Sequence, residues 1–98
     1  MDKAAVLEML RRHEPELRAS GILHLRVFGS VARGNASPHS DIDLMADLDR
    51  SRHLTLLNLV GLENRLADLL GTKVDLSPAD AMKEAVRARA TREAVVAF

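Results

Sequence analysis

Two stretches of the chain alternate between side-chain types with the period of two that is typical of β-strands. The first is Ile22–Phe28, which ends at Gly29-Ser30, and the second runs from about Ser40 to Asp47. One face of the first stretch carries Leu23, Leu25 and Val27. Turn-forming residues fill positions 34–39, so we predict two strands separated by a short helical turn and a loop.

Helical spacing of apolar residues predicts the longer helices. The first begins after an Asp2 cap, and Pro15 breaks or restarts it. The longest runs from a Ser51 cap to a stop at Gly71. The residues that this helix is expected to bury are Leu54, Leu57, Leu62, Leu66 and Leu69.

Shorter segments complete the order of elements. Val31–Arg33 is long enough for one helical turn, and Lys73–Leu76 predicts a third strand. A helix from Ser77-Pro78 to about residue 89 and a closing strand at Val95–Phe98 follow. The order αβαβαβαβ indicates an α/β (α+β) fold, a mixed four-stranded sheet flanked by helices, in a single domain over residues 1–98.

The connections between strands predict their directions. A full helix lies between the second and third strands, which favours a right-handed parallel crossover. If Gly29, at the end of the first strand, is to meet Asp41, at the start of the second, those two strands run antiparallel.

Composition excludes several classes of protein. The 98 residues hold 14 basic and 14 acidic side chains, and this balance argues against general nucleic-acid binding by charge attraction. Phe28 and Phe98 are the only aromatic residues, too few for a platform that stacks single-stranded bases. Cysteine is absent, which excludes disulfides and thiolate zinc sites. With no long apolar run and no secretion signal at the start, we expect a cytoplasmic protein without membrane contact.

The candidate chemistry lies at the ends of the two strands. Gly29-Ser30 follows the first strand and opens a helical turn, where backbone N–H groups and a serine hydroxyl can bind phosphate. Asp41 and Asp43, two positions apart on a strand, share one face with Met45, while Ile42, Leu44 and Ala46 share the other. The two carboxylates can share magnesium ions.

Asp75, on the predicted third strand, is a further carboxylate of the same sheet. It can ligate a second metal ion or take the proton from an attacking hydroxyl, and two metals would brace the attacking and leaving oxygens of an in-line displacement. Alternatively, it caps the helix that follows. Together these residues predict nucleotidyl transfer, with diphosphate as the leaving group.

Other interpretations of these residues are weaker. Gly29 and Gly34 have the spacing of a phosphate loop, but Asn35-Ala36 stands in place of its Lys-Ser/Thr pair. An EF-hand needs glycine where Ala46 stands. A solvated edge strand would also carry alternating aspartates. However, the combination of Gly29-Ser30 with Asp41 and Asp43 at this spacing would arise by chance at a rate on the order of 10⁻³ in a chain of this length.

Two neighbouring residues have open roles. Arg33 can contact phosphate or pair with the acidic cluster. Ser40 can cap the loop or support the metal ligands. Both are included among the candidate phosphate- and nucleotide-binding residues with Gly29 and Ser30.

The chain resembles the polymerase-beta-type nucleotidyltransferase superfamily in three segments: Phe28-Gly29-Ser30-Val31-Ala32-Arg33-Gly34, Ser40-Asp41-Ile42-Asp43-Leu44 and Val74-Asp75-Leu76. Its size is similar to that of the minimal nucleotidyltransferases, antitoxins encoded beside HEPN-domain toxins in prokaryotes. The resemblance implies ATP as donor with magnesium, Gly29 and Ser30 at the triphosphate, and Asp41, Asp43 and Asp75 as the carboxylate triad. It also implies that AMP is added to a tyrosine hydroxyl of a cognate HEPN RNase, which is thereby silenced.

Two other functions remain as alternatives at this point. The fold could act as a stoichiometric inhibitor that covers the toxin without chemistry. It could also transfer a nucleotide to a small molecule such as an aminoglycoside, which the absence of an acceptor-binding domain disfavours.

Overall fold

The computed structural model describes residues 1–35, 37 and 39–98. Its helices are α1 (Lys3–Arg12), α2 (Glu14–Ala19), α3 (Gly29–Arg33), α4 (Leu56–Leu70) and α5 (Glu84–Glu93). Its strands are β1 (Ile22–Phe28), β2 (Ile42–Leu48), β3 (Val74–Pro78) and β4 (Val95–Val96). Single 3₁₀ turns lie at Arg50–Arg52 and Ala79–Ala81. The loop predicted at 34–39 includes Ala36 and Pro38, which lie outside the described residues.

The four strands form one mixed sheet in the order β3-β2-β1-β4. Strand β1 is antiparallel to both β2 and β4, and β2 is parallel to β3. The predicted fold class and both predicted strand directions are therefore confirmed. The closing strand is shorter than predicted, although hydrogen bonds between the backbones of Leu25 and of Ala97 and Phe98 extend its pairing with β1.

One face of the sheet carries the hydrophobic core. Ile42, Leu44 and Ala46 of β2 are buried there, as their alternation with the aspartates predicts. Helices α1, α2 and α4 cover this face with Val6, Leu7, Leu10, Leu17, Leu62, Leu66 and Leu70. The Asp2 carboxylate accepts a hydrogen bond from the Ala5 N–H and caps α1, also as predicted. The opposite face carries the aspartates together with Met45, which is also buried.

The predicted sharing of one face by Leu23, Leu25 and Val27 is wrong at Leu23. The register between β1 and β2 shifts between Ile22 and His24, which is the sign of a β-bulge. The extra residue reverses the alternation at the start of the strand, so Ile22 is buried and Leu23 is 44% exposed.

The predicted start of the longest helix is also wrong. The Asp49 carboxylate accepts hydrogen bonds from the N–H and hydroxyl of Ser51, and these bonds hold the pKa of Asp49 below its usual value. His53 then adopts a left-handed conformation, φ 50°, which interrupts the helix. Helix α4 begins at Leu56, directly after its N-cap residue Thr55, which forms a capping box with Asn58. As a result Leu57 is 83% exposed rather than buried.

The last helix begins later than predicted. Strand β3 continues through Ser77 and Pro78, which pair with Met45 and Ala46 of β2. A helix cannot begin while this pairing lasts, and α5 starts only at Glu84. Within the described ranges, the helices are too short or too polar for any of them to traverse a lipid bilayer.

Candidate active site

The turn from β1 into α3 requires glycine at position 29. Gly29 has φ +74°, a left-handed conformation that side chains disfavour. A Cβ atom built there would lie 2.2 Å from Oδ2 of Asp43, far inside any allowed contact. The β1–β2 register explains this proximity, because Phe28 pairs directly with Asp43. The backbone of the turn therefore packs against the Asp43 carboxylate.

The first turn of α3 has free backbone donors. Phe28 is the N-cap residue and its side chain makes no capping hydrogen bond. The N–H groups that begin the helix have no partner within it, and such groups favour anions. Gly34 closes α3 in the left-handed conformation, with its N–H directed to carbonyls of the same helix. Gly29 and Ser30 thus form a tight turn beside Asp43.

The three predicted carboxylates gather at one end of the sheet. Asp43 and Asp75 are direct partners in the parallel β2–β3 register, and neighbouring strands lie about 4.8 Å apart. Burial raises the pKa of Asp43, and the nearby charges of Asp75 and Asp41 raise it further, while the Arg33 guanidinium lowers it. Asp41 lies just before β2 and is 3.7 Å from the Lys73 ammonium. Repulsion between carboxylates is therefore built into the site.

The carboxylates fit a hard divalent cation by their chemistry. Carboxylate oxygens are the donors that magnesium prefers, and a cation between them would offset the repulsion that raises the Asp43 pKa. Within the part of the chain that the structure describes, no three acidic or histidine side chains are yet close enough to form a ligand set. Binding a metal would therefore require the aspartate side chains to turn toward one another.

Strand β3 is held in place from its outer side. The Leu76 N–H donates a 2.9 Å hydrogen bond to the Glu63 carboxylate of α4. This contact fixes the backbone directly after Asp75 on an edge strand. The bond of Glu63 to a strand edge depends on tertiary packing, which the helical spacing of the sequence does not show.

An open groove of about 490 Å³ lies beside the Gly29-Ser30 turn. Its lining comes from the end of β1, from α3, from β2 and from α5: Phe28, Gly29, Ser30, Arg33, Asp43, Val86, Arg89, Ala90 and Glu93. The volume is in the range of small-molecule sites. The sequence reasoning missed the α5 wall, although its four residues have the helical spacing i, i+3, i+4, i+7.

The two residues with open roles have defined contacts. Arg33 lines the groove and pairs at 3.0 Å with Glu93 of α5 rather than with the aspartates. The Ser40 hydroxyl accepts a hydrogen bond from the Ser37 N–H and contacts the Ser37 hydroxyl. Ser40 therefore supports the loop that precedes β2 and does not line the groove.

Comparisons with known proteins match nearly the whole chain to one family. Residues 9–97 match the model of the nucleotidyltransferase domain family. The protein adenylyltransferase MntA of Thermococcus cleftensis is 36% identical over 88 residues, which cover 89% of this chain and 87% of the relative.

Solved structures also share the fold. A minimal nucleotidyltransferase, itself provisionally assigned, superposes with a TM-score of 0.74 at 35% identity and covers 97% of this chain and 95% of its own. The MNT antitoxin complex with a tri-AMPylated Shewanella oneidensis HEPN toxin gives a TM-score of 0.68 at 17% identity, over 94% of this chain and 71% of the other. The resemblance first seen in the sequence is confirmed, and the chain belongs to the nucleotidyltransferase domain family.

Proposed function

We propose that this chain is a protein adenylyltransferase that transfers AMP from ATP to a tyrosine hydroxyl of a HEPN-type toxin RNase and so neutralises it. The observation that carries the proposal is the contact of Gly29 with Asp43, which in turn pairs in register with Asp75. The proposed phosphate-binding turn thus lies beside one carboxylate and about one strand spacing from a second. The identity to the adenylyltransferase MntA supports the choice of a protein acceptor.

Each residue of the site has a role in the transfer. The backbone N–H groups of Gly29 and Ser30, with the Ser30 hydroxyl, bind the phosphates of ATP. Asp75 accepts the proton of the tyrosine hydroxyl while the tyrosine oxygen forms its bond to the α-phosphorus. The bond from the α-phosphorus to the bridging oxygen breaks, and diphosphate leaves with that electron pair.

Asp41, Asp43 and Asp75 would hold magnesium, two ions in this proposal. When bound, magnesium neutralises charge on the phosphates and on the oxygens that attack and leave. The raised pKa of Asp43 supports this assignment, because a carboxylate repelled by its neighbours gains most from a nearby cation.

The acceptor comes from the partner in this proposal. The groove is open to solvent, so a tyrosine of another chain can enter it beside Asp43. The antitoxin of the Shewanella oneidensis complex is bound to an AMPylated toxin, and its fold relationship supports a similar arrangement. Because ATP and an RNase target are both found in the cytoplasm, we infer that the protein acts there.

The test uses the protein encoded by the neighbouring gene, which we expect to be of the HEPN type. Both proteins are purified, mixed with labelled ATP and magnesium, and the partner is analysed by mass spectrometry for AMP on tyrosine. The Asp43→Asn variant should lose transfer by about 100-fold or more, since it removes the charge of a proposed magnesium ligand, and the charge stabilisation that a metal supplies contributes several kcal/mol.

Asp47→Asn is the matched control. Asp47 lies on the same face of β2 as Asp43, but it pairs with Arg26 at 3.2 Å and does not line the groove. This variant should transfer AMP like the wild type. Full transfer by Asp43→Asn would overturn the proposal. If Asp43→Asn still neutralised the toxin at equal expression, simple covering of the toxin would replace catalysis as the mode of inhibition.

A further inference from the structure

Helix α5 forms the second wall of the nucleotide groove. Val86, Arg89, Ala90 and Glu93 lie on one side of this helix and face the Gly29-Ser30 turn across the groove. Helix α5 also packs against α3 and β1, so its position relative to the turn is fixed by the fold. A ligand at the turn therefore lies between α3 and α5.

The charges in the groove are unequally matched. Arg33 and Glu93 neutralise each other at 3.0 Å, and the Glu93 side chain is 29% exposed. Asp43 faces the other carboxylates. For Arg89, the described residues offer no acidic side chain within ion-pair distance. Arg89 is thus the groove's available cation, with a planar guanidinium whose donors match phosphate oxygens.

We propose that Arg89 binds the β- and γ-phosphates of the donor nucleotide and so selects nucleoside triphosphates over monophosphates. The inference rests on the proposed function in that the groove holds the donor. Gly29 and Ser30 line the same groove, so a phosphate chain bound at the turn has the Arg89 wall opposite it. Paired hydrogen bonds from arginine to phosphate are stronger than those between neutral groups.

Arg89 also acts on the departing group. Negative charge grows on the diphosphate as its bond to the α-phosphorus breaks, and a cation fixed beside it stabilises that charge. Arg33 is less suited to this role while it is paired with Glu93. Loss of Arg89 should therefore weaken both the binding of triphosphate and the rate of transfer.

The experiment measures nucleotide binding separately from transfer. Wild type, Arg89→Ala and Arg89→Lys are titrated with a fluorescent ATP analogue in magnesium buffer, which is then displaced by ATP, AMP or inorganic diphosphate. Arg89→Ala should need about tenfold more ATP and diphosphate for displacement, with the AMP requirement unchanged within about twofold. Arg89→Lys should need ATP concentrations between those of the wild type and Arg89→Ala, because lysine keeps the positive charge but lacks the paired N–H donors of the guanidinium.

Arg87→Ala is the matched control, since Arg87 lies about 200° around the same helix and does not line the groove. It should bind all three ligands like the wild type. Equal weakening of AMP and ATP, or no change with ATP, would overturn the inference, as would a loss confined to partner binding. If ATP binding depends on Arg89 but no AMP reaches the partner, the proposed function fails and this inference stands. If Arg89→Ala binds ATP and transfers AMP normally, this inference fails and the proposed function stands.

Discussion

Replacing Gly29 by alanine tests the contact on which the site depends. The new Cβ atom would lie 2.2 Å from Oδ2 of Asp43, and ordinary contacts begin near 3.4 Å, so the carboxylate must move by about 1.2 Å. Its other near neighbours, Cγ and Cβ of Asp43, lie at 3.1 and 3.3 Å. Rotation of the side chain can relieve the clash, but the carboxylate then leaves its position beside the turn.

Two separate costs follow from this geometry. Alanine in a left-handed conformation destabilises the fold by about 1–2 kcal/mol, which lowers the melting temperature by roughly 4–8 °C per kcal/mol in a domain of this size. The displaced carboxylate should reduce AMP transfer by about 100-fold, well beyond what that loss of stability causes at a temperature where the protein stays folded.

Gly34→Ala separates the two costs. Gly34 has φ +78° at the other end of α3, and nothing among the described residues lies within 4 Å of its added Cβ atom. It should lose similar stability by urea unfolding and keep its transfer activity. If Gly29→Ala retained transfer within about threefold of Gly34→Ala, the contact between Asp43 and the turn would have no part in catalysis.

Two further predictions concern stability. Because burial and the neighbouring carboxylates raise the pKa of Asp43, the folded state loses stability as the pH rises through that pKa. In metal-free buffer the melting temperature of Asp43→Asn minus that of the wild type should therefore increase as the pH is raised from below 3.8 to about 7. If this difference stayed the same over that range, the reasoning would be contradicted. Leu57→Ser should change the free energy of unfolding by less than about 0.5 kcal/mol, because the side chain is 83% exposed. Leu66→Ala, at a fully buried position, should lower the free energy of unfolding by about 2–5 kcal/mol, measured by urea unfolding. An equal loss in Leu57→Ser and Leu66→Ala would show that Leu57 is buried after all.

The sheet and its carboxylates could be predicted because they depend on local patterns. The alternation around Asp43 fixes which face it shares with Asp41, and the length of the link to Asp75 fixes a parallel crossover. The spacing of Gly29 and Asp43 along the chain then brings them together through a single antiparallel pairing. None of these steps needs a contact between distant helices.

The starts of two helices were predicted wrongly because another local structure forms at the predicted position. Ser51 is a good helix cap in isolation, but the Asp49 carboxylate binds its N–H first and forms a separate turn. Pro78 suits the first turn of a helix, but the strand pairing of its neighbour Ser77 continues past it. In both cases the sequence suits two local structures, and only the folded geometry decided between them.

The α5 wall is a different kind of omission, because its pattern was visible but its meaning was not. Val86, Arg89 and Glu93 mix apolar, basic and acidic groups, so their common face has no hydrophobic signature to mark it as facing anything. It becomes a wall only because Ala90, between them, is small enough to be buried as α5 packs against the rest of the domain. A groove lined by charges of both signs is therefore defined by helix packing, whereas the aspartates of the same site are defined by the strand period.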